Sequence, residues 1–131
     1  MPKVLLVEDN EFNRDMLSRR LKRRGYEIID ATDGEQAVRL ATSHVPDLIL
    51  MDINLPGMDG WEATKRIREN QATAAIPIIA LTAHAMSGDR ERTINAGCNE
   101  YETKPVNFEG LIGKMENLLA SAKMTEARHE H

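Results

Sequence analysis

Cysteine is all but missing from this chain of 131 residues: the single Cys98 can form no internal disulfide and leaves no pair of thiolates to hold zinc or an iron–sulfur cluster. That usage suits a reducing compartment. Positive charge is not in excess either, since 17 Lys and Arg stand against 21 Asp and Glu, a formal net charge of −4. That balance gives no reason to expect a phosphate backbone as partner, and nucleic acid drops down the list. Long apolar runs are absent. The amino end, Met1-Pro2-Lys3-Val4-Leu5-Leu6-Val7-Glu8-Asp9, turns acidic after four apolar residues, far short of a signal peptide core or a membrane span. The expectation is a soluble cytoplasmic protein without a membrane partner. No Gly-x-x-x-x-Gly-Lys-Ser/Thr run exists to cradle a nucleotide phosphate, and no internal repeat or low-complexity segment interrupts the chain. What remains is 41% hydrophobic and 29% charged residues in the length of one ordinary domain, enough to bury a real core.

Short apolar runs recur at Val4 to Val7, Ile28-Ile29, Leu48 to Met51, Ile78 to Leu81 and, more weakly, around Tyr101. These read as strands. Between them, apolar residues return every three or four positions, as in Phe12, Met16, Leu17, Leu21 and in Ala37, Val38, Leu40, Ala41, which is helical spacing. Asp33, Asp59, Ser87 and Asn107 can cap helix starts, and Gly25 and Gly97 stand where a left-handed residue ends a helix. The result is (βα) repeated five times. Strict alternation in so short a chain predicts a doubly wound, parallel α/β sheet with helices on both faces, a three-layer sandwich. The most uniformly apolar runs, Val4 to Val7 and Leu48 to Met51, belong in the centre, and the more polar segments 27–31 and 100–103 at the edges. That gives the flavodoxin-like order 2-1-3-4-5, over a domain at 1–122. Residues 123–131 lose periodicity and are expected to form a disordered tail.

Ligands of such sheets bind beyond the carboxyl ends of the strands. The residues found there are Glu8-Asp9, Asp52, Thr82 and Lys104. Glu8-Asp9 taken alone could cap the first helix, and Thr82 alone could be a turn residue, but capping does not call for a lysine. Three converging carboxylates repel, and a hard divalent cation that keeps several waters relieves them; Mg2+ fits oxygen-only ligands of this kind. With an ammonium and a hydroxyl beside it, a carboxylate such as Asp52 has the surroundings needed to accept a phosphoryl group.

The motifs Val7-Glu8-Asp9-Asn10, Met51-Asp52-Ile53-Asn54-Leu55-Pro56-Gly57-Met58-Asp59-Gly60, Ala80-Leu81-Thr82-Ala83 and Lys104-Pro105 resemble the receiver domain of bacterial two-component response regulators, over residues 3 to about 120. The stretch 83–89 is similar to single-domain regulators of cell-cycle type and to receivers of hybrid kinases. The resemblance implies that Asp52 is phosphorylated by a histidine kinase or histidine phosphotransfer protein. It implies Mg2+ held by Asp9 and Asp52 through carboxylates, by Asn54 through its backbone carbonyl and by Glu8 through water. It also implies Thr82 on a phosphoryl oxygen, Lys104 paired with Asp52 or its phosphate, Tyr101 as the switch aromatic, and a cis bond at Lys104-Pro105. The family's usual acid pair is Asp-Asp, and Glu8-Asp9 is a variant expected to keep the metal.

On this reading the chain is a phosphoacceptor and not an enzyme in the ordinary sense. With no output domain after the fifth helix, an adaptor, a phosphorelay intermediate or a piece of a larger protein is expected, as monomer or weak dimer. The rival from another class is a Mg2+-dependent phosphatase working through an aspartyl phosphate. Such enzymes want a second Asp two residues after the nucleophile, where this chain has Asn54. His84 near the site mouth could influence how water reaches an acyl phosphate, but a solvated loop histidine is the expectation; His44 is expected at a helix end, and His129 and His131 in a disordered tail, with a weak adventitious metal pair as the alternative. Cys98 and Trp61 are expected to pack. Met86, Met115 and Met124 are expected to fill core, although they could serve an adaptable binding face.

Overall fold

Every apolar run becomes a strand, and every periodic stretch a helix, in the computed structural model, which describes residues 1–83 and 87–129, with the backbone alone at 87–89 and 123–129. The elements in chain order are β1 (Lys3–Val7), α1 (Glu11–Arg23), β2 (Glu27–Ala31), α2 (Gly34–His44), β3 (Leu48–Asp52), α3 (Gly60–Glu69), β4 (Ile78–Thr82), α4 (Ser87–Ala96), β5 (Glu100–Thr103) and α5 (Phe108–His129). The sheet runs β2-β1-β3-β4-β5 with every pairing parallel. β2 and β5 are the edges, and every residue of β3 and β4 is buried.

Alternation along the strands sends side chains to two separate cores. Leu5, Val7, Ile49, Met51, Ile78 and Ala80 meet Ala37 and Ala41 of α2 and Ala63 and Ile67 of α3. Their neighbours Val4, Leu6, Leu48, Leu50, Ile79 and Leu81 meet Leu21 of α1 and Phe108, Leu111, Ile112 and Met115 of α5. A fully buried Leu or Ile stabilises the fold by about 1.5–3 kcal/mol, so both faces are firmly clad. Cys98 is buried, and burial raises its thiol pKa above the ordinary 9.0.

The caps are local chemistry. Asp33, Asp59 and Asn107 each accept an amide hydrogen of the first turn, from Gln36 at 2.7 Å, Glu62 at 2.9 Å and Gly110 at 3.1 Å. Gly25 and Gly97 have φ of 94° and 115°. The first helix is capped by neither Glu8 nor Asp9. Asn10 takes that place, its Oδ1 accepting from Asn13 N at 2.9 Å, which leaves both acids to other work.

Two expectations change. α1 buries Leu21 and part of Leu17, but Phe12 and Met16 are 72% and 46% exposed, so the helical spacing marks the helix and not wholly its inner face. α5 continues as helix to His129 and does not end near residue 122; Ala, Lys, Met, Glu and Arg in that stretch sustain helix by intrinsic propensity without any apolar period. Residues 130 and 131 lie outside the described residues.

Candidate phosphoacceptor site

β1 and β3 lie side by side, Val7 opposite Met51, so the residues that follow Val7 and Met51 share one end of the sheet. Glu8 continues the sheet for one step, its N–H donating to the Ala31 carbonyl at 3.0 Å. Asp52 is 1% and Glu8 3% exposed. The Lys104 ammonium lies between them, donating to Asp52 Oδ2 and Glu8 Oε2, each at 2.9 Å. Asp9 is exposed, and Glu8, Asp9 and Asp52 each bring a carboxylate oxygen within 4.8 Å of the others.

The electrostatics follow from this crowding. Burial raises the Glu8 pKa above its ordinary 4.5, with the nearby Asp52 adding to the rise and Lys104 opposing it. For Lys104 burial works against the charge, yet the hydrogen bonds to Asp52 and Glu8 outweigh it and hold the ammonium above its ordinary 10.5. Two of the three clustered carboxylates, Glu8 and Asp52, share the Lys104 ammonium. The donors are all oxygen, two are buried and one faces solvent, a set suited to a hard divalent ion that retains water.

The loop after β3 is pinned close to Asp52. Asn54 N donates to Asp52 Oδ1 at 2.9 Å, which restrains the carboxylate at the oxygen that Lys104 does not bond. Gly60, the first residue of α3, donates to the Ile53 carbonyl at 3.0 Å. A Cβ at Gly60 would stand 2.4 Å from the Asp52 carbonyl oxygen, so only glycine lets α3 start so near the acid.

Thr82 ends β4 as a buried residue, one step beyond the Asp52–Leu81 pairing. Its carbonyl accepts from Lys104 N at 2.7 Å, and the Lys104–Pro105 bond is cis. Tyr101 on β5 is half-buried, with the Arg90 guanidinium 5.5 Å and the Lys114 ammonium 5.6 Å from its ring. Lys114 also donates to the Tyr101 carbonyl at 2.7 Å and pairs with Glu102 at 2.8 Å. The fold thus brings Glu8, Asp9, Asp52 and Lys104 together, with Thr82 beside them and Tyr101 farther along the neighbouring edge strand. His84, Met86 and His131 lie outside the described residues, as do the side chains of Ser87, Met124 and His129.

Sequence reading missed the bond between Glu8 and Lys104, which depends on side-chain reach. It also missed Arg14, whose Nη1 donates to the Glu8 carbonyl at 2.9 Å. Trp61 packs as expected, half-buried, but its Nε1 also donates to Thr93 Oγ1 at 3.1 Å, with the Arg92 guanidinium 3.8 Å from the ring.

A sheet of this order, with acids and a lysine at the carboxyl ends of its strands, defines a class. The model of the response regulator receiver domain matches residues 4–116. The chain belongs to that family, the receiver domains of two-component systems. It is 43% identical over 123 residues to the polar-differentiation response regulator DivK of Brucella anthropi, covering 93% of this chain and 100% of that protein. Among solved structures it is similar to the receiver domain of sensor histidine kinase PA1611 from Pseudomonas aeruginosa, which has a magnesium ion coordinated in its active site cleft. That likeness has a TM-score of 0.85 and 41% identity over 91% of this chain and 98% of that one. The chemotaxis protein CheY4 of Vibrio cholerae matches with a TM-score of 0.85 and 32% identity, over 90% of this chain and 98% of that one. Among the described residues no helix is long and apolar enough to cross a membrane.

Proposed function

We propose that Asp52 accepts a phosphoryl group from a phosphohistidine of a histidine kinase or histidine phosphotransfer protein, and that the chain then signals to a protein partner by a change of conformation. The observation that carries this reading is the placement of Lys104, 2.9 Å from both Asp52 and Glu8. In the transfer, an Asp52 carboxylate oxygen forms a bond to phosphorus while the phosphorus–nitrogen bond breaks, its electron pair leaving with the imidazole. Asp9 and Asp52 through carboxylates, Asn54 through its carbonyl and Glu8 through water would hold Mg2+. The ion supplies charge neutralisation at the phosphoryl oxygens. Lys104 is then drawn from the carboxylates to the phosphate, and the Thr82 hydroxyl bonds a second phosphoryl oxygen.

The donor has a place to dock. A groove of about 500 Å3 runs from Glu8 and Lys104 along Met16, Leu17 and Arg20 to Pro105 and Val106. Met16, part of this wall, is exposed on α1 and offers an apolar contact beside the acids. On the output side, rotation of Thr82 toward a phosphate vacates space that Tyr101 can enter from β5. Moving such a two-state equilibrium from mostly inactive to mostly active takes about 5 kcal/mol, within reach of several charge-assisted hydrogen bonds. The test is phosphorylation by acetyl phosphate with Mg2+, followed by intact-mass spectrometry: wild type gains one phosphate and Asp52→Asn gains none. Undiminished addition in Asp52→Asn refutes the reading.

A further inference from the structure

Three carboxylates within 4.8 Å of one another push the turn that carries two of them apart, so something must hold that turn in shape. The turn is short of backbone partners. β1 ends at Val7 and α1 begins at Glu11, and among the described residues no backbone amide donates to the Glu8 or the Asp9 carbonyl. Arg14, in the first turn of α1, fills the gap: its Nη1 donates to the Glu8 carbonyl at 2.9 Å and reaches the Asp9 carbonyl at 3.5 Å. Its charge is not spent on an ion pair, since none of the salt bridges among the described residues includes it. The same turn is laced from within, Asn10 N donating to Glu8 Oε1 at 3.2 Å and Asn13 N to Asn10 Oδ1 at 2.9 Å.

We propose that Arg14 is a positioning residue: by binding the Glu8 and Asp9 carbonyls it fixes the backbone of the acidic turn, and thereby the direction in which both carboxylates face the cation site. It touches neither the phosphoryl group nor the ion. The guanidinium does two things at once. Its hydrogen bonds orient the turn, and its charge, set behind the carboxylates, offsets part of their mutual repulsion. The charge alone would weaken binding of a cation, while the orientation strengthens it. The proposal is that orientation prevails. It rests on the reading of Glu8, Asp9 and Asp52 as a Mg2+ site, and it concerns a residue that holds ligands in place, where loss typically costs 10–100-fold in metal affinity.

The experiment is Mg2+ titration by calorimetry of wild type, Arg14→Ala and Arg14→Lys, together with amide hydrogen exchange of the metal-free proteins. Arg14→Ala is expected to raise the Mg2+ dissociation constant about tenfold, and Arg14→Lys, which keeps a donor but not the fork, to fall between. In the absence of metal, Arg14→Ala is expected to speed exchange at Asn10, whose amide bonds Glu8, while exchange at Leu5 in the centre of β1 stays unchanged, so a general loss of fold is told apart from release of the turn. Mg2+ affinity in Arg14→Ala equal to or tighter than wild type overturns the proposal. If wild type itself binds no Mg2+, the cation reading falls, and the exchange at Asn10 alone decides whether Arg14 holds the turn: unchanged exchange there overturns it as well.

Discussion

The indole N–H of Trp61 donates to the hydroxyl of Thr93 at 3.1 Å, joining the first turn of α3 to the middle of α4. Trp61 follows directly on Gly60, whose backbone lies against the Asp52 carbonyl, so this bond links the acid's own loop to the helix that precedes β5. Thr93 is buried, and removing its hydroxyl strands the indole donor. Thr93→Val is expected to cost about 1 kcal/mol, read from urea denaturation. The Arg92 guanidinium, 3.8 Å from the ring, still holds the indole in place. A denaturation midpoint equal to that of wild type would show that the bond adds nothing to stability.

Arg68, near the end of α3, ties together the loop before β4 and the turn between α4 and β5. Its Nε donates to the Gly97 carbonyl at 2.9 Å, Nη1 to the Ala74 carbonyl at 3.0 Å and the Ile76 carbonyl at 2.6 Å, and Nη2 to Asn99 Oδ1 at 2.8 Å. Asn99 Oδ1 in turn accepts from Ile78 N at 2.8 Å, the first residue of β4. Burial lowers the Arg68 pKa, a sign that the hydrogen bonds hold a charge where water is scarce. Arg68→Ala leaves three carbonyls short of a donor and is expected to cost about 2–4 kcal/mol in denaturant unfolding, and Arg68→Lys more than half of that, because an ammonium cannot reach four acceptors.

The fold was legible because its signals are periodic. The runs around Leu50 and Ile79 are apolar on both faces, and only a strand clad by helices on both sides explains them. Asp52, Lys104 and the acids after Val7 were legible because strand ends converge in a parallel sheet. What escaped were features set by reach. Glu8 meets Lys104 through the reach of two long side chains, and no spacing in the chain announces that. Arg14 binds carbonyls, and a backbone carbonyl leaves no mark in sequence. Phe12 and Met16 share helical spacing with Leu17 and Leu21 but fall on the rim of the stripe, where a position a third of a turn away decides between core and solvent.

Metal binding should register as stability. A ligand that binds only the folded protein stabilises it by RT ln(1 + [L]/Kd), about 1.4 kcal/mol at ten times Kd. Wild type is expected to gain that much with Mg2+ in thermal or urea unfolding, while Asp9→Ala and Asp52→Asn gain little, having lost a carboxylate from the set. Equal stabilisation of wild type and Asp9→Ala would place the ion elsewhere on the protein.

Among the described residues Lys104 is the one cation that pairs with both Glu8 and Asp52, and its removal tests the electrostatics of the site directly. Lys104→Met keeps most of the side chain's bulk but leaves two buried carboxylates facing each other with no cation. With the lysine's own side chain 25% exposed, water screens part of the interaction, and the expected cost in metal-free protein is about 1–3 kcal/mol. Mg2+ is expected to recover part of it by supplying the missing positive charge. The pH dependence has a definite sign. The folded pKa of Lys104 lies above its ordinary 10.5, so its contribution is fully present below that value and is lost as pH rises through the raised folded pKa. The stability difference between wild type and Lys104→Met is therefore expected to narrow only in strongly alkaline solution, because Lys104 stays charged in wild type throughout the neutral range. The raised pKa of Glu8 sets a second feature, since a carboxylate whose folded pKa is raised costs stability while charged and relieves that cost as pH falls through it. Lys104→Met, with the cation gone, should recover stability on acidification sooner than wild type. The measurement is urea denaturation of both proteins across pH in the absence of metal; a Lys104→Met curve parallel to wild type on the acid side would mean that Glu8 and Asp52 do not repel each other once the lysine is removed.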